Sequence, residues 1–152
     1  MNDKTKAPSF LGLVEENEHL SLDDLEGSYV IIYFYPKDKT SGCTIESQNF
    51  RDFKSKFAKK NCKIIGVSRD SIKSHKSFIE KEALNFPLIS DPEEEMCNAY
   101  GVMKEKSMYG RKYMGIERST FLIDPQGMLI KEWRGVKVPG HVEEVYKFLS
   151  EL

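Results

Sequence analysis

The stretch Phe34-Tyr35-Pro36-Lys37-Asp38-Lys39-Thr40-Ser41-Gly42-Cys43-Thr44-Ile45-Glu46 decides how this chain folds. It starts at the end of Tyr29 to Tyr35, a nearly unbroken run of apolar, β-branched and aromatic residues. Such a run reads as a central strand buried on both faces. The stretch then crosses a short polar loop and enters an amphipathic helix with a cysteine in its first turn. Open α/β folds place their chemistry where a strand ends at a helix N-terminus. A thiol there meets unpaired backbone N–H groups and the positive end of the helix dipole, and both favour the thiolate. Cys43 is therefore a candidate nucleophile.

Working outward, the helix from about Cys43 to Phe57 carries an inward stripe. Positions 43, 46, 50, 53 and 57 step by three and four, so they share one face. Phe50, Phe53 and Phe57 are its expected core anchors, and Cys43 and Glu46 continue the same face toward the N-terminus. Lys54, Lys56, Lys59 and Lys60 form a solvated opposite side. Upstream, Phe10 to Leu25 reads as a β-rich N-terminal extension. Downstream, Lys63 to Ser68 is a strand, and Asp70 or Ser71 caps a helix with Ile72, His75 and Ile79 on one side. Phe86 to Ile89 is a short extended piece. Asp91-Pro92-Glu93-Glu94 then opens a short helix that carries Cys97 and ends near Gly101. Lys104 to Glu117 reads as a long linking loop. Arg118 to Asp124 and Met128 to Arg134 are strands joined by Pro125-Gln126-Gly127. A last helix follows Pro139-Gly140, with Val142, Val145, Leu149 and Leu152 on one face. Strands linked through helices give parallel pairs, and the late hairpin adds an antiparallel one. The expected architecture is α/β and thioredoxin-like: a central mixed sheet flanked by helices, with an N-terminal β extension, in one domain over residues 1–152.

Composition narrows the function. The formal net charge is −1, so no global field gathers nucleic acid or acidic lipid. The polar start, Met1 to Lys6, has no long apolar run behind it. That argues against a signal peptide and a membrane span and for a cytoplasmic location, where cysteines are kept reduced. The three cysteines, Cys43, Cys62 and Cys97, are widely spaced. No C-x-x-C and no zinc-finger spacing occurs, so neither a metal nor another cofactor is expected.

The quoted stretch supplies a chemistry. A free thiol has a pKa near ~8.5, and a helix start with a nearby guanidinium lowers it. Thr40 presents a hydroxyl toward the sulfur or a bound oxygen. Gly42 permits close backbone approach, and Pro36 stiffens the loop and shields the sulfur. A thiolate ringed by donors suits attack on a weak bond with an anionic leaving group, such as the O–O bond of a hydroperoxide. Sulfur becomes a sulfenic acid and the alkoxide leaves toward the donors.

Pro36-x-x-x-Thr40-x-x-Cys43 resembles the active-site signature of the peroxiredoxins. The segments Gly66-Val67-Ser68, Ser90-Asp91, Tyr100-Gly101-Val102, Arg118-Ser119-Thr120-Phe121 and Gly140-His141-Val142 are similar to the bacterioferritin comigratory protein branch, also called peroxiredoxin Q. The resemblance runs from Pro8 to Leu149. It implies a thiol-dependent peroxidase for hydrogen peroxide and organic hydroperoxides, serving antioxidant defence. In it Cys43 is the peroxidatic cysteine, Thr40 bonds the peroxide, Pro36 shields the sulfenic acid, and Arg118 points at the thiolate. Glu46 orients that network, and its place on the buried stripe independently demands a partner. Many members carry a second cysteine where this chain has Gln48. Cys97 matches an alternative resolving position, which implies a Cys43–Cys97 disulfide reduced by thioredoxin, with glutaredoxin as the alternative reductant. A one-cysteine enzyme resolved by an outside thiol stays open. So do a monomer, the first expectation, and a dimer.

Read without the motif, each of these residues has a plainer role. Cys43 and Cys97 are small core residues, Thr40 a helix cap and Arg118 a strand residue, while Cys62, His75, His141 and Trp133 are structural. Two other classes fail on spacing. Thioredoxin-type disulfide exchange needs paired cysteines, and a cysteine phosphatase needs an arginine where this chain has Asn49. A non-enzymatic thioredoxin-fold binding module is the remaining alternative.

Overall fold

The computed structural model describes residues 5–152. In chain order the strands and helices are β1 (Thr5–Lys6), β2 (Leu11–Glu15), β3 (Glu18–Ser21), β4 (Tyr29–Phe34), α1 (Ser41–Lys59), β5 (Cys62–Ser68), α2 (Ile72–Glu82), β6 (Leu88–Ser90), α3 (Glu95–Ala99), β7 (Met103–Met108), β8 (Arg111–Ile116), β9 (Ser119–Ile123), β10 (Met128–Arg134) and α4 (His141–Ser150). Eight strands form one sheet in the order β1-β10-β9-β4-β5-β6-β2-β3. β4 sits near its middle, parallel to β5 and antiparallel to β9. This is the mixed, thioredoxin-like sheet expected from the element order. The N-terminal extension is the β2–β3 hairpin, which joins the sheet beyond β6.

β4 has no polar face because both of its faces are covered. Ile31 and Tyr33 pack into one core with Phe50 and Phe57 of α1, Phe78 of α2 and Val145 and Leu149 of α4. Val30, Ile32 and Phe34 point the other way, into a core with Met96, Cys97, Tyr100 and Phe121. The alternation along one strand thus assigns α1, α2 and α4 to one side of the sheet and α3 to the other. Tyr33 stacks on Phe50 with ring centroids 4.5 Å apart, and its hydroxyl pairs with Ser47 Oγ at 2.8 Å. Gly66 on β5 makes room for this ring: a Cβ there would come within 2.9 Å of Tyr33 and 2.6 Å of Leu88.

Three expectations need correction. Lys104 to Glu117 is not a loop but the β7–β8 hairpin, paired from Met103↔Ile116 to Met108↔Arg111 in a sheet of its own. Tyr109 and Gly110 both have positive φ, as a type I′ turn demands. The hairpin stands apart from the main sheet, so its strands keep the charged residues that disguised them. The helix expected to open at Asp91-Pro92 starts later, at Glu95. Residues 91–94 form a turn closed by Glu94 N–H to the Asp91 carbonyl at 3.0 Å. The Asp91 carboxylate reaches forward to the Met96 and Cys97 N–H groups at 3.2 and 2.8 Å, capping the helix from outside. Leu152 lies beyond α4 and is exposed, because that helix stops at Ser150.

Phe50 and Phe57 are fully buried, while Phe53 on the same stripe is only half-buried. Phe50→Ala is expected to lower the unfolding free energy by roughly 3–5 kcal/mol, the usual cost of emptying a phenylalanine site in a core. Phe53→Ala should cost clearly less, and urea denaturation of both variants checks the difference.

Candidate active site

β4 delivers the chain at Tyr35, whose N–H still pairs with the Val67 carbonyl at 3.1 Å. Residues 36–40 then turn back over the end of the sheet. Lys39 takes a left-handed conformation, φ 66°, which costs on the order of 1 kcal/mol for a residue with a Cβ and persists only when its surroundings hold it. Thr40 is the N-cap of α1, and its carbonyl accepts the Thr44 N–H at 2.9 Å. Its side chain makes no capping bond. The Oγ1 hydroxyl donates to the Lys37 carbonyl at 2.8 Å. That leaves the oxygen lone pairs of Thr40, not its proton, to face an incoming molecule.

Cys43 is buried on the inner face of α1, as its stripe required. Arg118, in the link before β9, reaches across to it. One guanidinium nitrogen donates to Cys43 Sγ at 3.4 Å and another to Glu46 Oε1 at 2.6 Å. Gly42 keeps this approach open, since a Cβ there would sit 3.3 Å from Arg118 Nη2. Glu46 is fully buried and its other oxygen, Oε2, has no hydrogen-bond partner. Burial pushes the Glu46 carboxyl up to about 7, against the opposing pull of the Arg118 charge and hydrogen bond. Burial works against the charge of Arg118 as well, but Glu46 and Cys43 outweigh it and hold its pKa above the ordinary value. Cys43, Glu46 and Arg118 thus meet in one hydrogen-bonded group. Thr40 and Pro36 lie in the adjoining turn, Thr40 exposed and Pro36 half-buried.

The other cysteines stand apart. Cys62 begins β5, beyond the far end of α1, and the seventeen residues from Cys43 to Lys59 span about 24 Å of helix. Burial pushes its thiol up to about 12. Cys97 is fully buried in the core on the opposite side of the sheet from Cys43. Burial, with the Asp91 carboxylate beside it, pushes that thiol well above its ordinary range.

Several polar residues here were not singled out from sequence. The Asp38 carboxylate accepts the Tyr35 hydroxyl at 2.6 Å, Ser74 Oγ at 2.8 Å and His75 Nδ1 at 2.8 Å. His75, expected to be a packing residue, is buried but also hydrogen-bonded through both ring nitrogens. Asp38, Asp70 and His75 bring possible metal-ligating atoms within 4.8 Å of one another. Each already has hydrogen-bond partners, so the group is a closed hydrogen-bond hub. His141, at the start of α4, pairs with Thr120 Oγ1 at 2.7 Å, and burial depresses its pKa to about 4, so it is neutral. Lys106 on β7 is half-buried, and burial together with the Arg118 charge lowers its pKa. The hairpin therefore adds a second cation near the site.

A thiol under a guanidinium, at the start of a helix in a thioredoxin-like sheet, defines a thiol-based redox enzyme. The comparisons with known proteins give the particular family. The AhpC/TSA family profile matches residues 4–132. Peroxiredoxin Bcp of Xanthomonas campestris is 52% identical over 124 residues, 82% of this chain and 78% of that protein. Peroxiredoxin Bcp of Bacillus subtilis is 48% identical over 147 residues, 97% and 94% of the two chains. A solved structure of the X. campestris bacterioferritin comigratory protein, from work on its alkyl peroxide reduction activity, superposes with a TM-score of 0.92 at 43% identity. It covers 95% of this chain and 91% of that one. The chain belongs to the AhpC/TSA family and, within it, to the bacterioferritin comigratory protein or peroxiredoxin Q branch of the peroxiredoxins. It is a thiol-dependent peroxidase, taking a peroxide as oxidant and a thiol as reductant. No helix among the described residues is long and apolar enough to cross a membrane.

The raised pKa of Glu46 gives a pH signature. A carboxyl raised from ~4.3 when unfolded to about 7 when folded stabilises the fold fully below the lower value. That contribution declines as pH rises and is gone above the upper one. Glu46→Gln is expected to remove this falling component between the two values, measured as urea unfolding free energy across a pH series. An unchanged slope would show that Glu46 is ionised throughout.

Proposed function

We propose that Cys43 is the peroxidatic cysteine and that one domain, residues 1–152, carries the whole cycle in the cytoplasm. The Cys43 thiolate attacks the distal oxygen of a hydroperoxide. The S–O bond forms as the O–O bond breaks, Cys43 is oxidised to the sulfenic acid, and the leaving oxygen takes a proton to become water or an alcohol. Arg118 donates to both sulfur and the reacting oxygens, and Glu46 holds its planar fork in place. Thr40, with its own proton committed to Lys37, accepts the hydrogen bond of the peroxide O–H. Pro36 shields the product from water. Hydrogen peroxide and organic hydroperoxides are the substrates, in keeping with the alkyl peroxide activity described for the X. campestris protein.

The observation that carries this reading is the double contact of Arg118 with Cys43 and Glu46. Lysine would keep the charge but lose the fork. Arg118→Lys should therefore slow sulfenic acid formation by at least ~10-fold with little change in unfolding midpoint. An unchanged second-order rate with peroxide, followed by stopped flow, would remove Arg118 from the reaction.

For the second half of the cycle we propose that the Cys97 thiol attacks the Cys43 sulfenic acid, forming the disulfide and releasing water, and that a dithiol protein such as thioredoxin reduces it. β6 runs parallel to β4 and finishes at the same end of the sheet, which brings α3 to the end where Cys43 lies. α3 has only five residues, so its opening is a local event, although it must break the Asp91 cap and the Arg134 bonds to the Tyr100 and Gly101 carbonyls and expose Met96 and Cys97. Opening is required, since a disulfide needs Cα atoms within about 7 Å and the two thiols lie on opposite sides of the sheet. That same separation favours the second reading, resolution by an external thiol. Disulfide mapping after stoichiometric peroxide decides between them. A dominant Cys43–Cys97 link, lost in Cys97→Ser together with thioredoxin-driven turnover, is the expected result. A persistent Cys43 sulfenic acid beside a free Cys97 would establish the external route.

A further inference from the structure

The turn that carries Pro36 and Thr40 is held from one residue. Asp38 is 5% exposed although its neighbours Lys37 and Lys39 are exposed. Its two carboxylate oxygens take three donors, the Tyr35 hydroxyl, Ser74 Oγ and His75 Nδ1, between 2.6 and 2.8 Å. Its backbone N–H donates to Asp70 Oδ2 at 2.8 Å. Burial alone would raise the Asp38 pKa; the bond and charge of His75, with Tyr35 and Ser74, outweigh it and hold the carboxyl below its ordinary value. The clamp is itself anchored. Asp70 Oδ2 also takes the Ser68 hydroxyl at 2.6 Å, and the second nitrogen of His75 donates to the Ile89 carbonyl at 3.1 Å. Four connections thus fix Asp38 to Tyr35 at the end of β4, to Ser74 and His75 of α2 and to Asp70 just past β5, and His75 passes the clamp on to β6. The next residue, Lys39, is in the left-handed conformation, and the one after it is Thr40.

We propose that Asp38 is a positioning residue of the peroxidase reaction: buried and clamped by Tyr35, Ser74, His75 and Asp70, it holds the strained turn that sets Thr40 against Cys43 and Arg118. Asp38 touches neither sulfur nor peroxide. It acts by keeping the Thr40 oxygen, with its proton turned to Lys37, at a fixed place over the first turn of α1. This rests on the reading of Cys43 as the peroxide-reactive thiol.

Two reactions of Cys43 separate positioning from general integrity. Alkylation by iodoacetamide needs only an accessible thiolate, whereas reaction with peroxide also needs the oxygens of the bound molecule aligned. Misplacing a reacting group by about 1 Å costs on the order of 100-fold. Asp38→Asn should lower the second-order rate of Cys43 sulfenic acid formation, trapped with dimedone, by roughly 10- to 100-fold, while alkylation at Cys43, read by peptide mass spectrometry, stays within about 2-fold. Tyr35→Phe removes one clamp hydroxyl and keeps the ring, so it should move the same ratio in the same direction by less, and it decides the matter should Asp38→Asn fail to fold. Tyr100→Phe, which loses a buried hydroxyl bond to the Pro8 carbonyl on the other side of the sheet, should leave the ratio unchanged. Parallel loss of both rates, or an unaltered peroxide rate in Tyr35→Phe and Asp38→Asn, overturns the proposal and makes Asp38 a structural residue only. Should wild-type protein show no dimedone adduct at Cys43, the site assignment fails instead.

Discussion

The guanidinium of Arg118 joins the start of β9 to the first turns of α1, donating to Glu46 at 2.6 Å and to Cys43 at 3.4 Å. Everything about the site depends on that bridge. Glu46 is fully buried, and an isolated carboxylate at such a place would be expelled or neutralised. Arg118 keeps one side of its charge near water, its side chain 17% exposed, so the desolvation cost falls mainly on the acid. The unpaired Oε2 of Glu46 and its raised pKa have one cause: a single partner does not fully replace the water lost. A buried pair of this kind adds little net stability but fixes geometry, because removing either member strands the other. Here the geometry fixed is the direction of the guanidinium over the sulfur.

The parts legible in the sequence were those with a period. β4 showed itself through an unbroken apolar run, and its two cores explain why. α1 shows itself through its three- and four-residue stripe, which places Cys43 and Glu46 inward. Glu46 on that stripe demanded a partner, and Arg118 is the partner found. The β7–β8 hairpin did not show itself. A two-stranded sheet with charged, exposed faces has no apolar alternation to read, and its Tyr109-Gly110 turn lacks the Asn-Gly or Asp-Gly that marks such a turn most clearly. α3 was misplaced because Asp91-Pro92 looks like a cap followed by a first helical residue. The real start is set by a carboxylate reaching over five and six positions and by Glu94 at φ 62°, which no local rule encodes.

The hydrogen-bond hub around Asp38 was illegible for a different reason. Its bonded partners lie up to 37 positions apart, and each has an innocent local reading: a loop acid, a helix-face histidine, a strand-end serine. Nothing in a single sequence links them. Only the pairing of β4 with β5 and of β5 with β6 brings 38, 68, 70, 75 and 89 together. Conversely, His75 on an apolar helix face was read correctly as buried. The missing piece was its second shared bond, which shows only when the neighbouring strand supplies a carbonyl.

Strand direction explains why the chemistry gathers at one place. β4, β5 and β6 are parallel, so all three finish at the same end of the sheet, at Phe34, Ser68 and Ser90. β9 is antiparallel to β4 and pairs Ser119 with Phe34, so it begins where they end. The residues just past those ends are the turn with Asp38 and Thr40, the Arg69–Asp70 corner, the Asp91 cap of α3, and Arg118. None of these segments is near another in sequence. Each is delivered by a strand whose interior is bound on both sides by main-chain hydrogen bonds. A thiol at this end thus gains a guanidinium donor and an anchored turn without any one loop having to be long. What differs among these segments is how each is tied. The Asp38 turn is held by four polar connections to one residue, whereas the five-residue α3 is held by the Asp91 cap, by the Arg69–Glu94 ion pair at 2.9 Å, by Arg134 bonds to the Tyr100 and Gly101 carbonyls, and by burial of Met96 and Cys97. The turn beside Cys43 is thus fixed through one buried carboxylate, while the short α3 bears the thiol that the proposed disulfide requires to move.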